Sequence, residues 1–362
     1  MNQIISALGL LSPARLTKMV RAHVPGDYEI IHFDAEGVGN GLLGDSIRLS
    51  LSYNRDCSDL PKSLIAKFSP TDAVVREAGA RLGVYRTEIG FYSELASSVA
   101  VSRPEAFYAE IDEAGEMFGL IMEDLGPARG GDQLSGCSVE DARLVMKQAA
   151  ALHGPLWNNP SSERPWMQMQ RVASQQLLVN FGVFVDAFIN RLGSGLNDDQ
   201  IKMIYKYQNS ALDFYNYQTR HRTLIHMDLR LDNILFDARD GAIPCAILDW
   251  QTASFGSAAR DLGFFLCTSL PLHIRRACER DILAEYLEHL RAHGVNDYTF
   301  EQLWSDYQLS SYQALFTAIA ASYSAKRTER ADLMFTKMAK EGAALLDDLD
   351  ATSALAAALD GR

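Results

Sequence analysis

The chain has 362 residues, 48% of them hydrophobic and 22% charged, with a net charge of −12. That mixture can bury a full core, and the length suits two domains or one large two-lobed unit. It excludes a disordered or fibrous chain, and the negative field disfavours non-specific attraction to nucleic acid or anionic lipid, leaning if anywhere towards a cationic substrate.

The five cysteines, Cys57, Cys137, Cys245, Cys267 and Cys278, are scattered and form no CxxC pair. They imply buried free thiols in a reducing compartment, not a disulfide framework or a zinc ribbon. The apolar run at residues 4–11 is short and lacks a basic segment before it, so it predicts the start of a helix and not a signal peptide. No apolar stretch approaches the ~20 residues of a membrane span. The expectation is a soluble, cytoplasmic protein.

Residues 47–53 (IRLSLSY) alternate apolar and polar, which predicts a half-buried strand. Residues 63–68 (SLIAKF), between Pro61 and Pro70, predict a second. From Arg81 to Ala100 apolar side chains recur at helical spacing (Val84, Ile89, Tyr92, Leu95, Val99), so one helix is expected there. Residues 116–123 (EMFGLIME) predict another strand, led in by an Asp-Glu-Ala-Gly turn. The breakers Gly126-Pro127 and Gly130-Gly131 then mark a hinge, so residues 1–126 are expected to form a sheet-rich lobe and 127–362 a helical one. Helices are expected at 139–153, 175–192, 198–217 and 281–293, and throughout 300–359. A strand-like island at 223–250 interrupts them.

That island holds the densest polar cluster of the chain. Two apolar runs flank Asp240-Gly241, a strong hairpin signal. Counted outward from the turn, Arg239 faces Ala242 and Asn233 faces Leu248, one residue from Asp249. Asn233 and Asp249 are thus expected at the open end of one hairpin, with Asp228 in the loop before it. A hard cation such as Mg²⁺ prefers a few protein oxygens plus substrate phosphates. Phosphoryl transfer adds an acceptor for the attacking hydroxyl's proton, a role suited to Asp228. The spacing Asp-x-x-x-x-Asn matches the kinase catalytic loop, and Asp249 stands where kinases have the Asp of D-F-G.

The residues His226-Met227-Asp228, Arg230, Asp232 and Asn233 resemble the H-G-D-x-R-x-D-N pattern of the ecdysteroid kinase-like branch of the aminoglycoside phosphotransferase and choline kinase superfamily. Asp249-Trp250-Gln251 and Arg260-Asp261-Leu262 resemble two further motifs of that group. Met227 departs from the pattern by replacing its glycine, and Gly256-Ser257 stands where related bacterial enzymes have Gly-Asp. The resemblance covers most of the chain and implies an α+β, protein-kinase-like fold with a small β-sheet N-lobe and a larger helical C-lobe. It implies a phosphate-binding role for Lys67 with Glu88 as its partner (Glu77 competing), and an adenine hinge through Glu123 and Leu125. Gly39, Asn40 and Gly41 fall where a phosphate loop belongs. Asp261 is expected to brace the catalytic loop by accepting backbone N–H bonds.

The function so implied is an ATP- and Mg²⁺-dependent transfer of the γ-phosphate to a hydroxyl of a small molecule, with no nucleic-acid or membrane partner. Two alternatives stay open: a catalytically inactive nucleotide-binding kinase fold, and a metal-dependent hydrolase built on His226, Asp228 and Asp249. Acceptor identity and oligomeric state are not encoded in any motif.

Overall fold

A computed structural model describes residues 4–38, 45–55 and 59–361 of the chain. The expected phosphate loop, Gly39, Asn40 and Gly41, lies outside the described residues, as does Cys57. The chain forms two compact units. One comprises residues up to Ser97 with Arg103–Pro127 and Asp249–Gln251, and the other Ser98–Ser102, Ala128–Leu248 and the chain from Thr252 onward.

The first unit begins with helix α1 (Pro13–His23), capped by Ser12 and opened by Pro13 at the first helical position. Strands β1 (Ile30–Gly37), β2 (Asp45–Tyr53) and β3 (Ser63–Phe68) follow, then helices α2 (Ala73–Leu82) and α3 (Val84–Gly90), and strands β4 (Ala106–Ile111) and β5 (Phe118–Glu123). The strands make one antiparallel sheet in the order β1-β2-β3-β5-β4. Period-two alternation divides β3 between two cores. Leu64, Ala66 and Phe68 bury against α1 residues Leu16 and Val20. On the other face Ile65 packs with Val84, Tyr85 and Ile89 of α3 and with Leu120 and Met122 of β5.

The single helix expected over 81–100 is in fact broken. Gly83, at φ +75°, closes α2 in the left-handed region that glycine enters at no steric cost, and α3 starts immediately after it. Beyond α3 the chain winds through a π-helical turn, Phe91–Leu95.

The second unit opens with strand β6 (Arg129–Gly130) and helices α4 (Val139–His153), α5 (Pro165–Val179), α6 (Phe181–Leu192), α7 (Asp198–Gln208) and α8 (Ala211–Asn216). Short strands β7 (Thr223–Ile225), β8 (Ile234–Ala238), β9 (Ile243–Ile247) and β10 (Ser254–Gly256) come next. Helices α9 (Ala259–Ser269), α10 (Leu272–Ala292), α11 (Phe300–Ser310), α12 (Gln313–Ser324), α13 (Glu329–Asp348) and α14 (Ala351–Asp360) complete it. The α5–α6 and α7–α8 pairs replace the two longer helices expected there, because the chain breaks at Asn180 and at Asn209-Ser210. Helix α9 is buried along almost its whole length, against α11, α12 and α13. Among the described residues no single helix is long and apolar enough to cross a membrane.

The β8–β9 hairpin has the register expected from its turn. Ile234 pairs with Ile247 and Ala238 with Ile243, and Asp240 and Gly241 both take positive φ (54° and 87°), as a type I′ turn requires. The Leu248 N–H donates to the Asn233 carbonyl at 2.9 Å, one residue before Asp249.

Candidate active site

In the sheet-rich unit the alternation of β3 puts Lys67 on the face opposite Ala66 and Phe68, the face covered by α3. Lys67 Nζ donates to Glu88 Oε1 at 2.6 Å and lies 3.6 Å from Asp249 Oδ1. Burial works against the lysine charge, but the Glu88 and Asp249 carboxylates outweigh it and hold the ammonium well above the ordinary lysine range. Glu77, the rival partner, is exposed on α2.

Asp249 takes φ +64°, unusual for a side chain-bearing residue. Its neighbour Trp250 is fully buried and stacks face to face on Phe91, with ring centroids 3.9 Å and planes 6° apart. Phe91 lies one turn after Glu88, so a single helical stretch supplies both the lysine's partner and the anchor for the Asp-Trp-Gln segment. Glu123 ends β5, where its carboxylate accepts from the Glu105 N–H at 3.3 Å, and Leu125 is buried. Between them Asp124 accepts from Arg48 (2.7 Å), Ser63 (2.8 Å) and the Gly126 N–H (3.0 Å). Asp124 therefore fixes the shape of the segment after β5.

In the helical unit the loop between β7 and β8 carries Asp228. Asp228 Oδ2 accepts from Arg230 Nε at 3.1 Å and from Asn233 Nδ2 at 2.9 Å. Oδ1 has no hydrogen-bond donor among the described residues. Asn233 Nδ2 also donates to the Asp228 carbonyl at 2.9 Å, which leaves the amide oxygen without a donor among the described residues. Arg230 bridges onward to Asp232 Oδ2 at 2.7 Å. Burial opposes its charge, and Asp228 and Asp232 together more than restore it.

The loop backbone is held from several sides. Asp261, wholly buried on α9, accepts from the N–H groups of His226 (2.7 Å) and Met227 (2.8 Å) and contacts His153 Nε2 at 3.2 Å. His153 Nδ1 in turn meets the Tyr286 hydroxyl at 2.9 Å. Burial raises the Asp261 carboxyl, but the His153 contact and the loop N–H bonds prevail and hold it below the usual carboxylate range. Gln313 Nε2 donates to the Met227 carbonyl at 3.2 Å, and Gln133 Oε1 accepts from the Leu231 N–H at 2.9 Å. The His226 ring is engaged at both nitrogens, Nε2 with the Leu248 carbonyl (2.9 Å) and Nδ1 with the Asp228 N–H (3.3 Å). That leaves it no lone pair for a metal ion, which removes the basis of a hydrolase built on His226.

The oxygens available for a metal are few. Among the described residues no group of three or more His, Cys, Asp or Glu is arranged to hold an ion. The amide oxygen of Asn233 and the carboxylate of Asp249 are each hard oxygen donors of the type that suits Mg²⁺, which keeps waters and phosphates as its other ligands, and not zinc.

The family model for the ecdysteroid kinase-like family matches residues 39–295. The chain belongs to this family. The matched span contains Lys67, Glu88, Asp228, Asn233, Asp249 and Asp261, while Gln313, which holds the Met227 carbonyl, lies beyond it. No curated protein matches the sequence.

Among solved structures, choline kinase from Cryptosporidium parvum Iowa II superposes with a TM-score of 0.50 at 12% identity, covering 92% of this chain and 96% of that one. Plasmodium vivax ethanolamine kinase gives 0.49 at 12% identity (89% and 85%). The GDP complex of aminoglycoside 2′-phosphotransferase-IIIa gives 0.47 at 17% identity (95% and 100%). The ecdysteroid kinase-like chain thus has the α+β, protein-kinase-like fold, with an antiparallel sheet unit and a mainly helical one.

Arg230, Gln133 and Asp124 are the participants that sequence reasoning left without a definite role. Arg230 lies inside the recognised motif and could have been read from its spacing to Asp228 and Asp232. Gln133 and Asp124 act through contacts distant in sequence, and no local pattern announces them.

Proposed function

We propose that this protein is a phosphotransferase that uses ATP and Mg²⁺ to phosphorylate a hydroxyl group on a small molecule. The observation that carries the reading is the lysine of β3 paired at 2.6 Å with the α3 glutamate and 3.6 Å from the Asp of Asp-Trp-Gln. A lysine held charged by two carboxylates is arranged for the polyanionic phosphates of a nucleotide. Family membership supports the same reading.

In this mechanism Lys67 binds the α/β-phosphates, Glu88 keeps its amine in place, and backbone near Glu123 and Leu125 receives the adenine. Asn233 and Asp249 are the residues that would hold magnesium, which when bound neutralises phosphate charge. Asp228 accepts the hydroxyl proton. Its Oδ2 is fixed by Arg230 and Asn233, so Oδ1 is the oxygen left to meet the acceptor. The acceptor oxygen bonds to Pγ while the bridging Pγ–O bond breaks, its electron pair leaving with ADP, and the proton passes through Asp228 to solvent. Positioning and charge neutralisation supply most of the rate.

Asp228→Ala is expected to abolish phosphate transfer and preserve nucleotide binding, measured by ATP-consumption assays over alcohol acceptors and by calorimetry. Full transfer activity in that variant would defeat the assignment.

A further inference from the structure

Within the helical unit a shallow, solvent-open cleft lies beside Met227, the residue before Asp228. Arg171 of α5, Arg222 at the entry to β7 and Arg260 of α9 line it, and no aspartate or glutamate among the described residues does. Arg260 lies between the rings of Tyr215 and Tyr312, 5.2 Å from each centroid, and donates to the neutral Gln313 Oε1 at 3.2 and 2.8 Å. Arg222 donates to the Phe255 carbonyl at 2.9 Å, and the carboxylate it meets, that of Glu163, is 3.9 Å away. Arg171 forms no ion pair among the described residues.

Burial and the neighbouring Arg171 charge push the Arg222 guanidinium below its ordinary range, with Glu163 opposing them. Converging cations of this kind repel one another until an anion enters. They also repel a cationic acceptor, whatever the net charge of −12 does at long range, because fields beyond about 10 Å are screened at physiological salt.

Resting on the phosphotransferase reading, we infer that the cleft takes its acceptor as an organic anion: a hydroxylated carboxylate whose acid group sits on Arg171 and Arg222, whose apolar body lies along Phe255 and Tyr312, and whose hydroxyl turns towards Asp228. Transfer to it balances as above, giving ADP, a phosphate monoester that keeps its carboxylate, and one proton. Arginine suits this task because its planar fork binds a carboxylate in two places and stacks on rings. The aromatic floor is already present under Arg260 and Arg222.

The test uses three probes with one skeleton, 4-(hydroxymethyl)benzoate, its amide, and the corresponding benzylamine, titrated calorimetrically into the full chain. The benzoate is expected to bind about tenfold or more tighter than the amide, and the amine weakest, since a hydrogen bond to a charged group is worth about 1.5–3 kcal/mol. Arg171→Ala and Arg222→Ala should each remove about tenfold from benzoate affinity and leave the amide unchanged. Arg171 is only half-buried on its helix, so Arg171→Glu is a second, foldable variant and should reverse the order in favour of the amine. Equal binding of the three probes, tighter binding of the amine, or binding of none overturns the inference. Transfer of labelled phosphate from ATP is scored separately. Anion-selective binding without transfer supports the cleft assignment and counts against the phosphotransferase reading. Transfer that favours the amine does the opposite.

Discussion

Replacing Glu88 by glutamine tests the lysine arrangement most directly. The wild-type carboxylate is 6% exposed, receives Lys67 Nζ at 2.6 Å, and competes for that amine with Asp249 at 3.6 Å. Removing one partner from a fully buried pair costs about 3–5 kcal/mol, because a bare charge is left behind. Here Asp249 remains, and glutamine still offers an oxygen, so the cost falls to about 2 kcal/mol, the scale of one charge-assisted hydrogen bond. Lys67 then turns to Asp249 and is withdrawn from the phosphates, so nucleotide affinity should fall by roughly 30-fold, at 1.36 kcal/mol per tenfold. Calorimetric titration of MgATP measures this without knowledge of the acceptor, and urea unfolding confirms that the variant is folded. Glu77→Gln is the control: its exposed side chain should leave affinity unchanged. If Glu88→Gln binds within about twofold of wild type, or if Glu77→Gln is the damaging change, the reasoning fails.

Trp250→Ala removes a fully buried ring stacked on Phe91, so a loss of about 3–5 kcal/mol and a melting temperature lower by roughly 10 °C are expected by calorimetry, with Trp250→Phe recovering most of it. Asp261→Asn should cost about 3 kcal/mol and lower transfer activity by weakening the hold on the Asp228 loop. Because the Asp261 pKa is depressed in the folded state, its contribution is complete above the unfolded value of about 3.9 and is lost as pH falls through the folded one. The acid limb of the urea stability profile should therefore be shallower in the variant. Asp306 is the opposite case: burial raises its carboxyl to about 6, against the bond from the Tyr298 hydroxyl at 2.8 Å. Its folded pKa lies above the unfolded one, so it costs stability as pH rises from about 4 to 6, and Asp306→Asn should gain at most about 2 kcal/mol at pH 7 relative to pH 4.

Where a strand has one buried face and firm breakers, its limits could be read directly. Residues 63–68 were legible because Pro61 and Pro70 bracket a clean alternation, and the hairpin register counted outward from Asp240-Gly241, which a slip of two residues would have changed, matches the observed pairing. Strands β1 and β4 were not legible. Both are sheet edges and mostly exposed or half-buried, so their residues carry no period-two signal. The helix breaks at Gly83 and Asn180 were missed because apolar spacing continues through them, and only tertiary packing decides that the axis turns. Within the candidate site, the Lys67–Glu88 pair was what the family resemblance implied, and spacing alone left Glu77 as a rival. Arg171 and Arg222, although they line one cleft, are far apart in the chain, and the negative net charge pointed away from them.

Met227 shows how the loop and the cleft depend on each other. It takes φ +69°, a conformation that costs a residue with a Cβ about 1–2 kcal/mol and costs glycine almost nothing. The surrounding bonds offset that cost: its N–H is taken by Asp261 and its carbonyl by Gln313, both anchored on buried helices. With the backbone so fixed, a glycine would serve the loop equally well. What methionine adds is a side chain on the wall of the arginine-lined cleft, next to the residue assigned as the base. A strained position filled by a side chain that the backbone does not need is best explained by what that side chain touches. Here it touches the space where an acceptor would lie. On the proposed reading the departure at Met227 would bear on substrate selection, while the bonds from Asp261 and Gln313 hold the loop backbone whatever side chain stands there.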